Sequence, residues 1–450
     1  VMHEFFTDLS IELNKKYDNL KCSGIAFGRN KCFKKFEYSN LGYISDIKIR
    51  NKENFIDFKF LHNIENKYQF SISECIHAER HFEKLHKDEK LFMAQEIIRK
   101  TLSLLEIEKP DLVILEGIDD FTSLFLYYYC KNTDINFFYF VYARLGSYLI
   151  KSNRLDTGPL DFQLKLSHYE GHSLKESKIL QGTKSFVKEY VLNKSQPSYV
   201  SDKSMLFKRF SIADLQILKS VFLSFAFDSD TFGSLSPSNV LTNRFIRIKR
   251  EAQYKRFFYN KFISLNNLNN DFLVYPLHFH PEAATLIQGR FFNNQIEIIE
   301  MISKALPSNI KLIVKEHVVS IGRRGIEFYK KIENFHNVFF ISERVDVYQL
   351  LEKSRGVCTI SSSMGLEALM LGKPVLVFGE IFYQLSKNVI QVGDLRKIPE
   401  YIKTMIELKF DEDDFLKLLA AFKQDLIEVS PGFSAHKYDM ISLKSIANSI

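Results

Sequence analysis

No tryptophan occurs in this 450-residue sequence, and its five cysteines, at 22, 32, 75, 130 and 358, form no Cys-x-x-Cys pair. An odd, unpatterned set of thiols argues against a disulfide framework and predicts reduced cysteines in the cytosol. No apolar run reaches the ~18–20 residues of a membrane helix. The first residues are acidic and polar, unlike a signal peptide. Internal repeats beyond a strand–helix rhythm and low-complexity tracts are also missing. The formal charge of +7 is mild for this length and does not by itself argue for nucleic acid. What is present is 46% hydrophobic and 26% charged residues, a globular balance, in a chain long enough for two domains. Its 42 phenylalanines and 21 tyrosines reflect compositional bias and carry no function.

The chain is organised around residues 272–379. Gly356–Ile360 is a compact apolar segment, followed by the small polar turn Ser361-Ser362-Ser363-Met364-Gly365. Leu366–Leu371 is helical in pattern, Gly372-Lys373-Pro374 stops it, and Val375–Phe378 is the next strand. Strand, polar loop, helix, strand is the unit of a parallel α/β sheet. Backbone N–H groups at such a helix start, beside serine hydroxyls, suit a phosphate or carboxylate. Two similar loops come earlier. The strand Phe272–Leu277 runs into His278-Phe279-His280-Pro281-Glu282, and Lys311–Val314 into Lys315-Glu316-His317. Ligands of open parallel sheets bind outside the carboxyl ends of the strands, so the three loops are expected to share one crevice.

Upstream, residues 1–75 suggest short strands at Asp46–Ile49 and Phe55–Phe60. Asp88–Leu105 has helical periodicity, Asp111–Leu115 is a strand ending in Glu116-Gly117, a helix follows from Thr122, and Asn136–Tyr142 is the next strand. This is a first Rossmann-like domain. His77 and His81 stand at i and i+4 of an expected helix, but no glutamate directly follows His77, so they are read as ordinary surface or capping histidines. His168 and His172 are read alike. Tyr142–Phe162 is expected to be a loop. Its Asp156, in Asp-Thr-Gly-Pro, is either a turn former or a general base for an acceptor hydroxyl, and Glu116 at its strand end is the rival base.

Ala213–Phe227 is apolar at helical spacing. Asn243–Phe262 then carries Arg244, Arg247, Lys249, Arg250, Lys255 and Arg256 interleaved with aromatic and aliphatic residues. It is read as a solvated helix with one packed face, or as a surface for an anionic acceptor or membrane. The Asn-rich Ser264–Asp271 is the expected linker. The expected domains are 1–265, 270–410 and a set of C-terminal helices over 411–450 packing back on both. Those helices are placed near Ile398–Leu408, Asp411–Ile427 and Ala435–Ile450.

The ordered series Tyr275–Thr285, Lys315-Glu316-His317, Ser361–Leu369, Gly372–Val375, Phe378-Gly379 and Phe382-Tyr383 resembles the capsule polysaccharide synthesis family, which includes Kdo transferases. The resemblance is firm over residues 272–395. Asn153–Gly158 is similar to the family's aspartate loop. The family phrase Lys-Glu-His-Pro departs here, with Val318 in place of proline.

The resemblance implies an α/β fold with two Rossmann-like domains facing a cleft, GT-B-like, with a helical basic insertion. It implies a glycosyltransferase using a nucleotide sugar, CMP-activated Kdo above all, by direct inverting transfer with no metal and no cofactor. It implies donor binding by His278, Pro281, Glu282, Lys315, Ser361, Ser362, Ser363, Gly365 and Glu367, and charge neutralisation by His317 and Lys315. It implies a base from the first domain, Asp156 or Glu116. The partners expected are a glycan or glycolipid acceptor, the inner membrane and polysaccharide assembly proteins, with a cytoplasmic or peripheral location and no nucleic acid. A CDP-polyol polymerase, a UDP-sugar 2-epimerase and a non-catalytic scaffold are the alternatives. The serine loop of the first normally continues into aspartate, where this chain has Met364-Gly365-Leu366-Glu367.

Overall fold

The computed structural model describes residues 2–17, 19–26, 40–44, 47, 55–171, 177–193, 237–431, 433 and 438–450. The expected helix at 213–227 and His172 lie outside the described residues, as does the strand expected at 46–49 apart from Ile47. Two compact units divide the chain, both discontinuous in sequence. The first takes described residues within 1–153, 208–241 and 426–450, and the second those within 154–207 and 242–425. Both are Rossmann-like α/β sheets with flanking helices, as a GT-B-like chain requires.

In the first unit, β1 (Ser23–Ala26) and β2 (Asn40–Tyr43) form a parallel pair. The helix Lys87–Glu108 leads to β3 (Leu112–Leu115), the helix Phe121–Lys131 and β4 (Asn136–Tyr142), with β3 and β4 parallel. The expected loop after β4 instead contains β5 (Tyr148–Ser152), antiparallel to β4. Arg144 and Gly146 both take left-handed φ (60° and 56°), and the Ala143 N–H reaches the Tyr148 carbonyl at 2.9 Å. That tight reversal converts the run with buried Leu149 and Ile150 into a hairpin.

Two further readings are corrected. Phe55–Phe60 is not a strand. Asp57 caps a helix over Phe58–Tyr68 by accepting from Phe60 N–H at 2.9 Å, and Leu61, Ile64 and Tyr68 recur on its buried face. His77 and His81 do not share a helix face. The helix ends at Ala78, Glu79 is extended, and His81 sits in a 3₁₀ turn.

The second unit holds six parallel strands: β6 (Phe272–Pro276), β7 (Lys311–Lys315), β8 (Val338–Ile341), β9 (Gly356–Thr359), β10 (Val375–Val377) and β11 (Val389–Gln391). Their order is β11-β10-β9-β6-β7-β8. Counted from β6 this is the doubly wound arrangement, with its switch point between the first strand, β6, and the fourth, β9. The strands are near-continuous apolar runs because helices cover the sheet. Leu273, Tyr275, Leu312 and Val314 pack in one core with Ile298 and Ile302 of the helix Gln295–Ala305 and with Ile402 and Met405 of the helix Ile398–Glu407.

Candidate functional site

The loops after β6 and β9 meet at the switch point. His278 is buried there, and its Nε2 accepts the Ser361 N–H at 3.1 Å and lies 3.2 Å from Thr359 Oγ1. Thr359 Oγ1 in turn accepts from Ser362 N–H at 3.1 Å, so its own proton can go to the imidazole. These donors leave the neutral ring's proton on Nδ1. Gln295 fixes the His278 backbone at both ends, accepting its N–H at 2.7 Å and donating to its carbonyl at 3.1 Å. The rest of the loop is outward. His280, Pro281 and Glu282 are exposed, and the Glu282 carbonyl takes the Thr285 N–H at 2.9 Å to start the turn Ala283–Leu286.

The three serines of the expected phosphate loop have different roles. Ser361 is buried and donates its hydroxyl to the Ala284 carbonyl at 3.1 Å. Ser362 caps the helix Ser363–Met370, its Oγ accepting from Met364 N–H at 3.1 Å. Ser363 is half-buried at the first helical position, and its hydroxyl bonds no described residue. Gly365 is a packing position. A β-carbon there would sit 2.7 Å from Tyr383 Cζ, and the Tyr383 hydroxyl donates to the Ser362 carbonyl at 2.6 Å. Tyr383 therefore props the loop from behind.

One turn along the same helix, Glu367 is half-buried and its carboxyl makes no hydrogen bond to a described residue. Burial, and then the charge of Asp346, push its carboxyl up to about 7. Asp346 caps the helix Val347–Lys353, and buried Tyr348 beside it has a hydroxyl with no hydrogen-bond partner. A carboxyl poised near neutrality next to a helix start suits a sugar or ribose hydroxyl.

In the loop after β7, burial shifts both the lysine and the histidine. Lys315 is buried, and its ammonium donates to the carbonyls of Ser342 (3.3 Å) and Glu343 (2.5 Å). Burial lowers its pKa to about 8, against the pull of Glu343 and Asp346. His317 is lowered to about 4 by burial, then by Arg324 and Lys315, so at neutral pH it is an uncharged imidazole. Glu316 organises the loop from within. It accepts from Tyr329 hydroxyl at 2.6 Å, His317 N–H at 2.7 Å and Arg324 Nε at 3.2 Å, while burial raises its pKa against Arg324's pull. Arg324 also donates to the His278 carbonyl, which ties the β7 loop to the β6 loop.

The two candidate bases fall in different units. Glu116 follows β3 in the first unit, beside Asp119 and Asp120. Burial of its carboxyl end and those two charges raise its pKa, a push that solvent screens at this exposed residue. Nearby Glu79 is buried, accepts from the N–H groups of His81 (2.9 Å) and Phe121 (3.2 Å), and is pushed up to about 7 by burial first. Asp156 groups with the second unit rather than the first. It is buried, Arg154 grips both of its oxygens (2.9 and 2.5 Å), and Gly158 N–H donates to it at 2.9 Å. It shapes the turn and also has a fixed counter-charge.

The basic segment is a helix, Pro237–Phe257. Tyr254 and Phe258 at its end are buried against Tyr329 and Phe340. Arg244, Arg247 and Arg250 lie on the same half-buried face at three-residue spacing, whereas Phe245, Ile246, Ile248, Lys249, Lys255 and Arg256 are exposed. The expected acceptor or membrane set is thus split between two faces.

Sequence reading missed Gln295, Thr359, Arg324, Tyr348 and Tyr383 as parts of the site. Thr359 and Tyr383 stood in noted phrases; the others act through contacts made after folding. Among the described residues, no group of three or more His, Cys, Asp or Glu is placed to hold a metal ion, and no helix is long and apolar enough to cross a membrane.

The sequence family described as "Capsule polysaccharide biosynthesis protein" matches residues 163–387, half of the chain. No curated protein sequence matches. Among solved structures, the Thermosulfurimonas dismutans KpsC beta Kdo 2,7 transferase is 13% identical, with 78% of this chain and 89% of that chain covered at a TM-score of 0.36. The Methanocaldococcus jannaschii UDP-GlcNAc 2-epimerase is 16% identical, covering 90% and 98%, at 0.29. Scores this low carry no argument about the site.

Proposed function

This chain belongs to the capsule polysaccharide biosynthesis family, and from that premise we propose that it is a glycosyltransferase acting on a nucleotide-sugar donor. The observation that carries this reading is the Ser361 N–H to His278 Nε2 bond at the switch point. It sets a polar crevice where doubly wound sheets take nucleotides, with the Ser363 hydroxyl and Glu367 carboxyl ready for a ligand. We propose a CMP-activated acidic sugar such as Kdo as donor and a glycan or glycolipid as acceptor.

In this reading the donor phosphate lies at the start of the helix Ser363–Met370, on Ser363 and the helix N–H end. The sugar–phosphate C–O bond breaks and its electron pair leaves with CMP. Neutral His317 donates a hydrogen bond to the departing phosphate, where fixed donors lower the barrier most. The acceptor oxygen attacks the anomeric carbon from the opposite face, inverting it. A carboxylate takes the acceptor proton, Glu116 or Asp156. Glu116 is the better base, because Asp156 has its charge committed to Arg154. The exposed Phe245, Ile246 and Ile248 with Lys249 and Arg256 support peripheral contact with an anionic membrane.

Calorimetric titration with CMP, CDP, UDP and GDP in EDTA tests the donor assignment, repeated on Ser362→Ala and His317→Ala. Selective CMP binding weakened at least tenfold by both substitutions supports it. Tight UDP or GDP binding removes the CMP-sugar assignment, and no nucleotide binding removes the enzyme reading.

A further inference from the structure

The basic helix meets the loop after β7 at Gly322. Gly322 has a φ of +78°, and a β-carbon there would lie 2.8 Å from the Arg247 carbonyl oxygen and 3.2 Å from Arg247 Cγ. No side chain fits between helix and loop at that point. One residue on, Arg250 Nη1 donates to the Arg323 carbonyl at 2.6 Å and holds the loop against the helix. Arg247 and Arg323 are thereby brought side by side, and the Arg323 guanidinium stands over the Phe279 ring at 4.6 Å from its centroid. Phe279 follows His278, so the pair borders the loop that leaves the switch point.

Neither guanidinium has a hydrogen bond or ion pair with a described residue. The neighbouring carboxylates are engaged elsewhere. Glu251 pairs with Lys255 at 2.8 Å, Glu316 with Arg324 at 3.2 Å, and Glu343 accepts from the Tyr254 hydroxyl at 3.2 Å. Glu282 is the one carboxylate whose field favours the charge of Arg323, while burial and Arg247 oppose it. Two adjacent forks with no direct ion pair to a described residue repel each other until an anion bridges them, and their planar geometry matches phosphate or carboxylate oxygens.

We propose that Arg247 and Arg323 form an oxyanion site that takes a second acidic group of the substrates, distinct from the phosphate at the serine loop. The sheet order supports the distinction. The β7 loop lies two strands from the β9 loop, about 10 Å at ordinary strand spacing. The group is a sugar carboxylate of the donor or a phosphate of the acceptor. That it belongs to a substrate rests on the glycosyltransferase reading; the anion site itself does not.

The first probe is inorganic phosphate. Thermal midpoints against phosphate concentration, at ionic strength held constant with sodium chloride, give an apparent Kd for the intact chain and for Arg323→Gln, Arg247→Gln and Arg247→Lys. Either glutamine variant is expected to weaken phosphate at least tenfold, and Arg247→Lys less. Arg323 is exposed, so Arg323→Gln keeps the fold; an unchanged phosphate response in it overturns the site. CMP then tests the distinction. CMP affinity within twofold of wild type in Arg323→Gln supports it, and a tenfold loss overturns it. A CMP-linked keto-acid sugar assigns the source: tenfold weakening makes the group the donor carboxylate, and no weakening makes it the acceptor phosphate. Arginine-dependent phosphate binding without any nucleotide binding keeps this site while removing the glycosyltransferase reading.

Discussion

The backbone N–H of Ser361 donates to Nε2 of His278 across 3.1 Å, which locks the loop after β6 to the loop after β9. A sheet's switch point is a split in its connections, where the two loops diverge to opposite faces. A buried imidazole closes that split at its base and leaves the crevice open above. Removing it by His278→Ala strands the Ser361 N–H and costs ~1–3 kcal/mol. Urea unfolding should show that loss, and nucleotide affinity should fall at least tenfold.

Gly365→Ala places a β-carbon against the Tyr383 ring, whose hydroxyl is committed to the Ser362 carbonyl. We expect a destabilisation of ~1–3 kcal/mol, the usual range for overpacking. Its cost should be smaller in a Tyr383→Leu background. Additive losses in a double-mutant cycle would show that Tyr383 is not the obstacle.

His317 should titrate near pH 4 by NMR in the free protein, well below the ordinary 6.5. The unfolded chain then binds more protons between these values, so stability falls as pH drops from about 6.5 to about 4. His317→Gln should flatten that part of the pH–stability curve. Bound nucleotide phosphate should move the NMR midpoint upward, and an unmoved midpoint would remove His317 from the phosphate.

Glu367 has the opposite sign. Its carboxyl is pushed up to about 7, so the folded state binds more protons than the unfolded state between about 4.5 and 7. Relative stability is full below that window and is lost as pH rises through it. Glu367→Gln should therefore gain thermal midpoint over wild type at pH 8 and gain little at pH 5. It should also weaken nucleotide binding, because a neutral amide presents one acceptor oxygen where the carboxylate presents two and makes no charge-assisted hydrogen bond.

Four of the second unit's six strands, β6, β7, β9 and β10, were legible to within about a residue. Its parallel strands are buried on both faces and read as uninterrupted apolar runs, with Gly372-Lys373-Pro374 and Ser362 marking helix ends. The hairpin strand β5 was not, since left-handed Arg144 gives no compositional sign of a turn. Phe55–Phe60 was taken for a strand because Phe58 and Phe60 suggested alternation, whereas Phe58 is exposed and the buried positions Leu61, Ile64 and Tyr68 follow helical spacing. The serine loop was visible as a motif. That Ser361 donates inward to Ala284 while Ser363 is left available depends on what packs behind the loop. The uncharged state of His317 was hidden for a related reason: a sequence names the base, but burial and neighbouring cations set its protonation. The inward face of Arg244, Arg247 and Arg250 was equally hidden, because the helix carries no apolar stripe to mark its packed side.

Residues 426–450 also bear on how the chain is made. They supply β12 (Ile427–Glu428), which pairs with β5, and the helix Met440–Ser449, whose Leu443 and Ile446 pack with Phe5, Leu9 and Leu13 of the opening helix Met2–Lys16. This apolar stripe thus waits for part of its packing on residues translated more than four hundred positions later. At about 5–20 residues per second that interval is roughly 20–90 s. The six-stranded sheet is fully translated before then. Until then Phe5, Leu9 and Leu13 lack Leu443 and Ile446, so the first unit is completed only after all of the second has been translated.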